Sequence, residues 1–221
     1  MKKILYPLST INFEQKMAGI DTTILSQSIV FEFKQGEFIT RQNEVPAYLY
    51  VILSGRAKIM TSQTNGKQLI LQFLNEQDLI GDLTIIQAEE ETKDVIALGS
   101  TVCLGIPMDL VESKLIPNAE FLYFLANYIG KKLLLRVEHF KEQQTQELKI
   151  RLIKLLLDIT IDDEYHEKHT EIAEYLGVSY RHYMHTLKFL KENDMITKKA
   201  ACYMINRNNM IIFLNEDKKM S

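Results

Sequence analysis

The sequence predicts an α+β fold, in which an N-terminal β jelly roll is followed by a long helix and by a C-terminal winged helix-turn-helix module. Three observations lead to this prediction. Short apolar runs with glycine-marked turns fill the first half of the chain, apolar residues at helical spacing begin after Pro117, and two short amphipathic segments flank Gly177. Many short strands separated by turns are typical of an all-β sandwich or roll.

Four apolar stretches predict the strands of the β roll. They comprise Ile29, Phe31 and Phe33; residues 49–53; Leu69, Leu71 and Phe73; and residues 95–98 with 102–106. Gln35-Gly36 and Ser54-Gly55 are predicted to end strands at turns. Asn65-Gly66 predicts a tight hairpin, because both residues tolerate positive φ.

Helical spacing extends from Asn118 to about residue 157, and a second helix is predicted over about 148–158. An apolar stripe steps by three or four residues along the first helix; it consists of Ala126, Ile129, Leu133, Val137 and Phe140. Such a stripe is the seam of a two-helix contact. Packing of the helix against its own β roll is one interpretation. Pairing with a second copy, in a homodimer, is the favoured one.

The segment around Gly177 has the spacing of a helix-turn-helix motif. A short first helix is predicted to start at Thr170. Gly177 supplies a left-handed turn position, and Ser179 is suited to cap the helix that follows over about 180–190. The sequence therefore predicts two helices held at a defined angle.

The second of these helices has two unlike sides. Its apolar side consists of Tyr183, Leu187 and Leu190, and its polar side of Arg181, His185 and Lys188. The whole chain has a net charge of −3, but six basic residues stand against two acidic ones between positions 179 and 207. Phosphate binding depends on this local field. Lys198 and Lys199 lie in a predicted β hairpin, or wing, placed to touch phosphates. Together these features favour a helix that enters the DNA major groove over two packed helices with a solvated basic face.

The composition is that of an ordinary globular chain, with 46% apolar and 25% charged residues among 221. No apolar run approaches the roughly 20 residues that a membrane-spanning helix needs. The N-terminus also lacks an apolar stretch long enough for a signal peptide. We therefore expect a cytoplasmic protein without membrane contact.

The two cysteines, Cys103 and Cys202, bear on possible cofactors. An iron–sulfur cluster normally needs about four thiolates, and structural disulfides are rare in the cytoplasm. We interpret both cysteines as small buried hydrophobes, with a redox-active Cys103 as the alternative. HxxH pairs occur at His166/His169 and His182/His185, and neither has a cysteine partner at zinc spacing. The sequence therefore predicts no metal and no cofactor.

The chain carries GEFITRQ, LYVILSGRAKI, NGKQLILQFL and DLIGDL, then a long helix and EIAEYLGVSYRHYMHTLKFL. Over residues 29–213 this series resembles the CRP/FNR superfamily of bacterial transcription regulators, and YHEKHTEIAEYLGVSYRH is most similar to the YeiL-like branch. The resemblance implies a cyclic-nucleotide-binding-like β-roll effector domain in residues 1–117, a dimerisation helix in 118–147 and a winged helix-turn-helix DNA-binding domain in 148–221. The implied partners are double-stranded DNA, a second copy of the chain and RNA polymerase.

The resemblance also assigns DNA-binding roles within the C-terminal domain. Base edges would be read by Tyr180, Arg181 and His185, and backbone phosphates would be met by Ser179 and the His169-Thr170 pair. The other predicted DNA-binding residues are Lys188 on the same helix and Lys198 and Lys199 on the wing. The family pattern has Arg followed by Glu where this chain has Tyr180-Arg181, so the usual operator is not expected. Arg181 remains suited to guanine, because it can donate two hydrogen bonds to O6 and N7.

Cyclic-nucleotide-binding members of the family bind ribose with a carboxylate and phosphate with an Arg-Ser or Arg-Thr pair. The resemblance places a weak effector pocket at Gly81, Asp82, Leu83, Thr92 and Lys93. Asp82 matches the carboxylate, but Thr92-Lys93 replaces the arginine pair and follows three glutamates at 89–91. A lysine cannot grip phosphate in the bidentate manner of arginine. We therefore expect an effector other than cAMP, of unknown identity.

Two other functions compete with DNA-binding regulation. An enzyme of the jelly-roll type would need clustered histidines on strands, yet no histidine precedes His139, so we expect no catalysis. The alternative that stays open is a ligand-binding β-roll protein whose C-terminal module binds a protein partner.

Overall fold

A computed structural model describes residues 1–4, 19–62, 68–89, 92–200 and 202–220. The chain divides into two compact units, Met1–Ser62 with Leu71–Leu135 and Gln63–Ile70 with Arg136–Ser221. This division falls inside the long helix. The three-part division at residues 117 and 147 stays a prediction.

An antiparallel sheet forms most of the first unit. Its strands are β1 (Lys2–Ile4), β2 (Ile29–Phe33), β3 (Phe38–Thr40), β4 (Tyr48–Ser62), β5 (Gln68–Leu74), β6 (Leu79–Ile80) and β7 (Asp94–Pro107). Their order is β1-β2-β7-β4-β5, with β3 beside β7 and β6 beside β4. The predicted strand at Ile29–Phe33 and the turn at Gln35-Gly36 are both present.

Strands β4 and β7 are longer than the sequence predicts. They pair along almost their whole lengths, with register shifts on both sides of Ser54. Gly55 has φ +83°, and a Cβ there would lie 2.4 Å from the carbonyl oxygen of Ser100. Gly55 therefore permits a bulge where the two strands approach closely. The prediction that Ser54-Gly55 ends a strand is wrong, and residues 95–98 and 102–106 belong to one strand.

Strand β5 does not keep the predicted alternation. Leu71 is 45% exposed, while Ile70, Phe73 and Leu74 are buried. The inward positions therefore do not follow the Leu69, Leu71 and Phe73 pattern. The predicted hairpin at Asn65-Gly66 lies outside the described residues.

Short helices and the first part of one long helix complete the first unit. They are α1 (Thr22–Gln27), α2 (Asp82–Ile85), α3 (Met108–Leu110), a π-helical turn (Val111–Leu115) and α4 (Ala119–Thr145). At 27 residues, α4 is about 40 Å long. Its first turns bury Phe121 and Leu125 against the β-roll residues Leu49 and Leu104. This apolar contact attaches the start of α4 to the roll.

The second unit is mostly helical. Its elements are α5 (Leu148–Ile159), β8 (Glu164–Tyr165), α6 (His169–Tyr175), α7 (Tyr180–Glu192), β9 (Ile196–Lys199), β10 (Cys202–Ile205) and α8 (Arg207–Met220). The strands form a small antiparallel sheet in the order β8-β10-β9. The predicted α5, the helix pair and the hairpin are present, whereas β8 has only two residues and no predictive signal. Among the described residues, no helix is long and apolar enough to cross a membrane.

Candidate nucleic-acid interface and effector site

A tight turn joins α6 to α7. Gly177 has φ +67°, and its N–H donates to the Glu174 carbonyl over 3.0 Å. A Cβ at Gly177 would meet nothing within 4 Å, so glycine is favoured here by its backbone conformation and not by lack of space. The Ser179 hydroxyl accepts a hydrogen bond from the His182 N–H (3.2 Å) and caps α7. Both residues act as the sequence predicts.

Helix α7 has one buried and one exposed side. The buried side consists of Tyr183, Leu187 and Leu190; the exposed side consists of Tyr180, Arg181, His185 and Lys188. Arg181, His185 and Lys188 are spaced by four and then three residues, which places them on one face. The helix thus presents cations, an imidazole and a phenol to solvent.

His169 belongs to an aromatic cluster formed by α6, α7 and the small sheet. Its Nδ1 lies 3.1 Å from the Tyr183 hydroxyl, which lies 2.9 Å from the Tyr165 hydroxyl, and its ring meets Tyr203 edge-on. Burial, and secondarily the charge of Lys198, lowers the pKa of His169, so the imidazole is neutral near pH 7. His169 therefore has an internal structural partner, whereas neighbouring Thr170 is exposed.

The hairpin β9–β10 carries the predicted pair of lysines. Lys198 pairs across the strands with Tyr203, and Lys199 with Cys202. Both lysines are exposed. The Lys199 ammonium lies 3.7 Å from a carboxylate oxygen of Glu164 on β8, a surface ion pair of small energy. The wing therefore offers two cations to solvent.

Arg207 is one of the six basic residues counted between positions 179 and 207. Its side chain does not belong to the exposed basic residues of α7 and the hairpin. Its guanidinium donates to the Asp163 carboxylate, to the Leu157 carbonyl (2.9 Å) and to the Thr160 carbonyl (3.1 Å). These bonds satisfy carbonyls at the C-terminal end of α5. Arg207 therefore stabilises the second unit, and five exposed basic residues remain in the segment 179–207.

In the first unit, the predicted effector carboxylate already has a partner. Asp82 is the first residue of α2, after Gly81 at φ +97°. The Lys132 ammonium, on α4, lies 2.8 Å from Asp82 Oδ2, and the two side chains are only 10% and 8% exposed. Either charge alone would be costly in the interior, so each side chain of this pair depends on the other.

A second polar contact joins α4 to the roll near the first. The Tyr128 hydroxyl donates to Asp78 Oδ1 (2.9 Å) and accepts from the Leu79 N–H (2.9 Å). Tyr128 and Lys132 are four residues apart and so lie on the same face of α4. Together the two contacts hold this face of the helix against β6 and α2.

The predicted phosphate position at Thr92-Lys93 has a different local structure. The Thr92 hydroxyl lies within hydrogen-bond distance of the Arg41 and Glu44 carbonyls, at 2.9 and 3.0 Å. A cavity of about 340 Å³ borders Thr92, and the described residues that line it include Glu44 and Glu89 but no lysine or arginine. Such a cavity disfavours an anionic ligand.

The predicted stripe on α4 divides into a packed and an exposed part. Ile129 packs against the core of the roll. Leu133, Val137 and Phe140 are 61%, 56% and 64% exposed, and Ala126 is exposed as well. Leu134 and Leu135 add exposed apolar surface beside them that the stripe does not predict. An apolar strip of this size on one helix is typical of an interaction surface.

Cys103 lies in a second core cluster of the roll, with Phe31, Phe33 and Ile52. It is fully buried, and burial raises the pKa of its thiol to about 12. The thiol is therefore protonated and inaccessible. This agrees with the prediction that Cys103 is a small buried hydrophobe and argues against the alternative that Cys103 is redox-active.

The chain thus contains a β roll, a long helix and a helix pair that carries a small hairpin, in that order. The roll matches the model of the cyclic nucleotide-binding domain over residues 30–117. Residues 144–220 match the model of the Firmicute plasmid replication protein RepL.

Individual relatives cover most of the chain. The regulatory protein YeiL of Escherichia coli O157:H7 is 28% identical over 86% of this chain and 87% of its own length. The cAMP-activated global transcriptional regulator CRP of Salmonella typhimurium is 23% identical over 82% and 91%. A CRP/FNR-family regulator from Eubacterium rectale has the same fold, with a TM-score of 0.71 at 15% identity over 93% of this chain and 98% of that one.

The chain is therefore homologous to YeiL and to CRP, contains a cyclic nucleotide-binding domain, and has structural neighbours among CRP/FNR-family regulators. Homology to these regulators supports a role in the regulation of transcription. The relatives that span most of the chain are regulators and not enzymes.

Proposed function

We propose that the protein is a DNA-binding transcription regulator that acts as a homodimer on a two-fold symmetric site, with α7 in the major groove. The observation that carries this proposal is the exposed polar face of α7, with Tyr180, Arg181 and His185 on its first turns. The N-terminal residues of such a helix contact base edges. Arg181 is the residue suited to guanine, since it can donate two hydrogen bonds.

Contacts to the DNA backbone are proposed for residues around this helix. Ser179, Thr170 and Lys188 flank the base-reading turns, and Lys198 and Lys199 on the wing are exposed cations. His169 is assigned an indirect role, because its ring is held among tyrosines. Phosphate contacts fix the position of a protein on the duplex without reading sequence.

Dimerisation is proposed to bury the exposed strip on α4 formed by Leu133, Val137 and Phe140. Two such helices would pack as in a coiled coil, with these residues at the seam. A two-fold dimer then presents two copies of α7, and its half-sites are expected about one helical turn, roughly 34 Å, apart.

The effector is proposed to differ from cAMP. Asp82 is held by Lys132 at 2.8 Å, and the cavity that borders Thr92 has Glu44 and Glu89 among its lining residues. A cyclic phosphate would have to displace a buried ion pair and approach carboxylates. Calorimetric binding of cAMP at micromolar concentration would contradict this part of the proposal. RNA polymerase as a partner and a cytoplasmic location stay predictions.

The deciding experiment is selection of bound sequences from a random DNA pool with the purified full chain and no added ligand. We expect enrichment of a palindrome. Retention on duplex DNA that falls steeply with ionic strength is also expected, because phosphate contacts release counterions. Binding that does not vary with salt, without sequence enrichment, would favour a C-terminal module that binds a protein partner.

A further inference from the structure

The small sheet β8-β10-β9 separates two sets of side chains onto opposite faces. Tyr165 and Tyr203 are cross-strand partners, and their rings lie 6.5 Å apart in the cluster that contains His169. Successive residues of a strand point to opposite faces. The residues next to these tyrosines therefore gather on the other side of the sheet.

We propose that Glu164, His166 and Cys202, on that other face, form a binding site for a thiophilic divalent cation such as Zn²⁺. Their ligand atoms all lie within 4.8 Å of one another. The His166 Nε2 is 3.0 Å from Glu164 Oε2. Among the described residues this is the one group of three histidine, cysteine or acidic side chains so arranged.

The donor set matches the chemistry of zinc. Thiolate sulfur, imidazole nitrogen and carboxylate oxygen are its three usual protein ligands, at about 2.0–2.3 Å. In a tetrahedral site such bonds separate neighbouring donors by about 3.5 Å. The three ligand atoms, all within 4.8 Å of one another, therefore need only small side-chain rotations to reach the spacing of a tetrahedral zinc site. On binding, the Cys202 thiol releases its proton to solvent and the imidazole binds in its neutral form.

The site is accessible to a cation from solvent. His166 is exposed, and Glu164 and Cys202 are half-buried. Three protein donors leave a fourth coordination position for water or another ligand. The Lys199 ammonium, 3.7 Å from Glu164 and itself 64% exposed, can turn away when the metal takes the carboxylate.

Movement of the Lys199 side chain is expected to change how the wing binds DNA. This expectation rests on the proposed DNA-binding function. Metal at Glu164 removes the carboxylate that competes with phosphate for Lys199, and so strengthens the phosphate contact proposed for this lysine. We expect saturating Zn²⁺ to tighten binding to random duplex DNA and to steepen its salt dependence by about one phosphate contact. The Lys199→Gln variant should lose this response and keep the metal site.

Metal binding itself is tested without DNA, on the reduced full chain free of any histidine tag. Co²⁺ is the probe, because thiolate ligation produces a charge-transfer band in the near ultraviolet. We expect one equivalent of Co²⁺ to give this band and Zn²⁺ to displace it. Cys202→Ser should abolish the band, and His166→Gln should weaken binding by more than about 10-fold.

Controls separate this site from general metal binding. His139→Gln removes an exposed histidine on α4 and should bind Co²⁺ as the unmodified chain does. Alkylation reports on the thiols separately, since Cys103 is buried: Zn²⁺ should protect Cys202 in the native protein. A band that persists in Cys202→Ser, or equal affinity of the His166→Gln and His139→Gln variants with unchanged melting curves, would overturn the site. A site that binds Co²⁺ in a protein without DNA affinity would contradict the proposed function alone.

Discussion

At the scale of single residues, the interior of the roll contains a charge pair that includes Asp82, the carboxylate predicted for an effector pocket. Asp82 and Lys132 are each about nine-tenths buried and 2.8 Å apart. The pair joins α2 to α4, so it contributes to stability and occupies the carboxylate at once. In the proposed function, this ion pair is the reason why Asp82 is not expected to bind a ribose.

Removal of Lys132 is the direct test of this pair. Lys132→Met leaves a buried carboxylate without its cation and should lower the free energy of unfolding by about 3–5 kcal/mol. The matched control is Lys141→Met, whose partner Glu138 is exposed and whose loss should cost at most about 1 kcal/mol. Urea denaturation measures both. An equal, small loss in the two variants would contradict the stabilising role of the buried pair.

Gly177, in the turn between α6 and α7, leads to a second prediction about the free energy of unfolding. Gly177→Ala forces an alanine into φ +67° and should cost about 1–2 kcal/mol. Gly130, in the middle of α4, also has open space around it, so Gly130→Ala should instead stabilise by about 0.5–1 kcal/mol. Thermal melts of the two variants should therefore move in opposite directions. A common direction would mean that the backbone conformation does not decide the effect.

His169 predicts the pH dependence of stability. Its pKa in the folded chain is lowered by burial and by Lys198, so below about pH 6.5 the unfolded chain binds the proton more readily. This contribution is fully present above that pH and is lost as the pH falls toward the folded pKa. The free energy of unfolding should therefore fall less steeply in His169→Gln than in the unmodified chain as the pH is lowered from about 7.5, and urea denaturation at a series of pH values measures this slope. An unchanged slope in His169→Gln would contradict the assignment.

At the scale of elements, α4 has two different roles along its length. Phe121, Leu125 and Ile129 pack on the roll, while Leu133, Val137 and Phe140 are exposed. Packing against the roll therefore describes the first part of the stripe, and pairing with a second copy stays a proposal for the rest. The exposed part is the surface that a second copy would cover.

A charge placed in this exposed strip tests dimerisation. Val137→Glu should raise the dimer dissociation constant on the order of 100-fold or more, because a buried unpaired charge costs several kcal/mol. Lys131→Glu adds the same side chain at another exposed position of α4 and should leave the dimer intact. Sedimentation equilibrium distinguishes the two. A monomeric parent chain, or dimers of equal affinity in both variants, would exclude this interface.

At the scale of the whole molecule, the proposed function requires two copies of α7 at a fixed spacing on DNA. Arg181→Ala should cost about 1–3 kcal/mol on the selected palindrome and relax specificity at one position in each half-site. Lys198→Ala should weaken all duplexes alike and reduce the salt slope by about one. Fluorescence anisotropy on matched and scrambled sites measures both. An equal loss of affinity on both sites in Arg181→Ala would show that this residue meets only phosphate.

The sequence by itself determined the features that depend on short-range spacing. The glycine turn, the Ser179 cap and the two sides of α7 follow from residues within one or two helical turns of one another, and all three are present. The order of roll, long helix and helix pair could also be predicted from the sequence, because hydrophobic periodicity changes abruptly after Pro117.

Only the tertiary structure decided the contacts between residues far apart in the chain. The bulge at Gly55 depends on the approach of Ser100, and Asp82 finds its partner 50 residues later at Lys132. Cys202 likewise reaches His166 only because β10 pairs with β8. The physical reason is the same for all three contacts. Sheet pairing and helix packing bring together residues that are distant in the chain, and the local periodicity of the sequence does not indicate which residues these are.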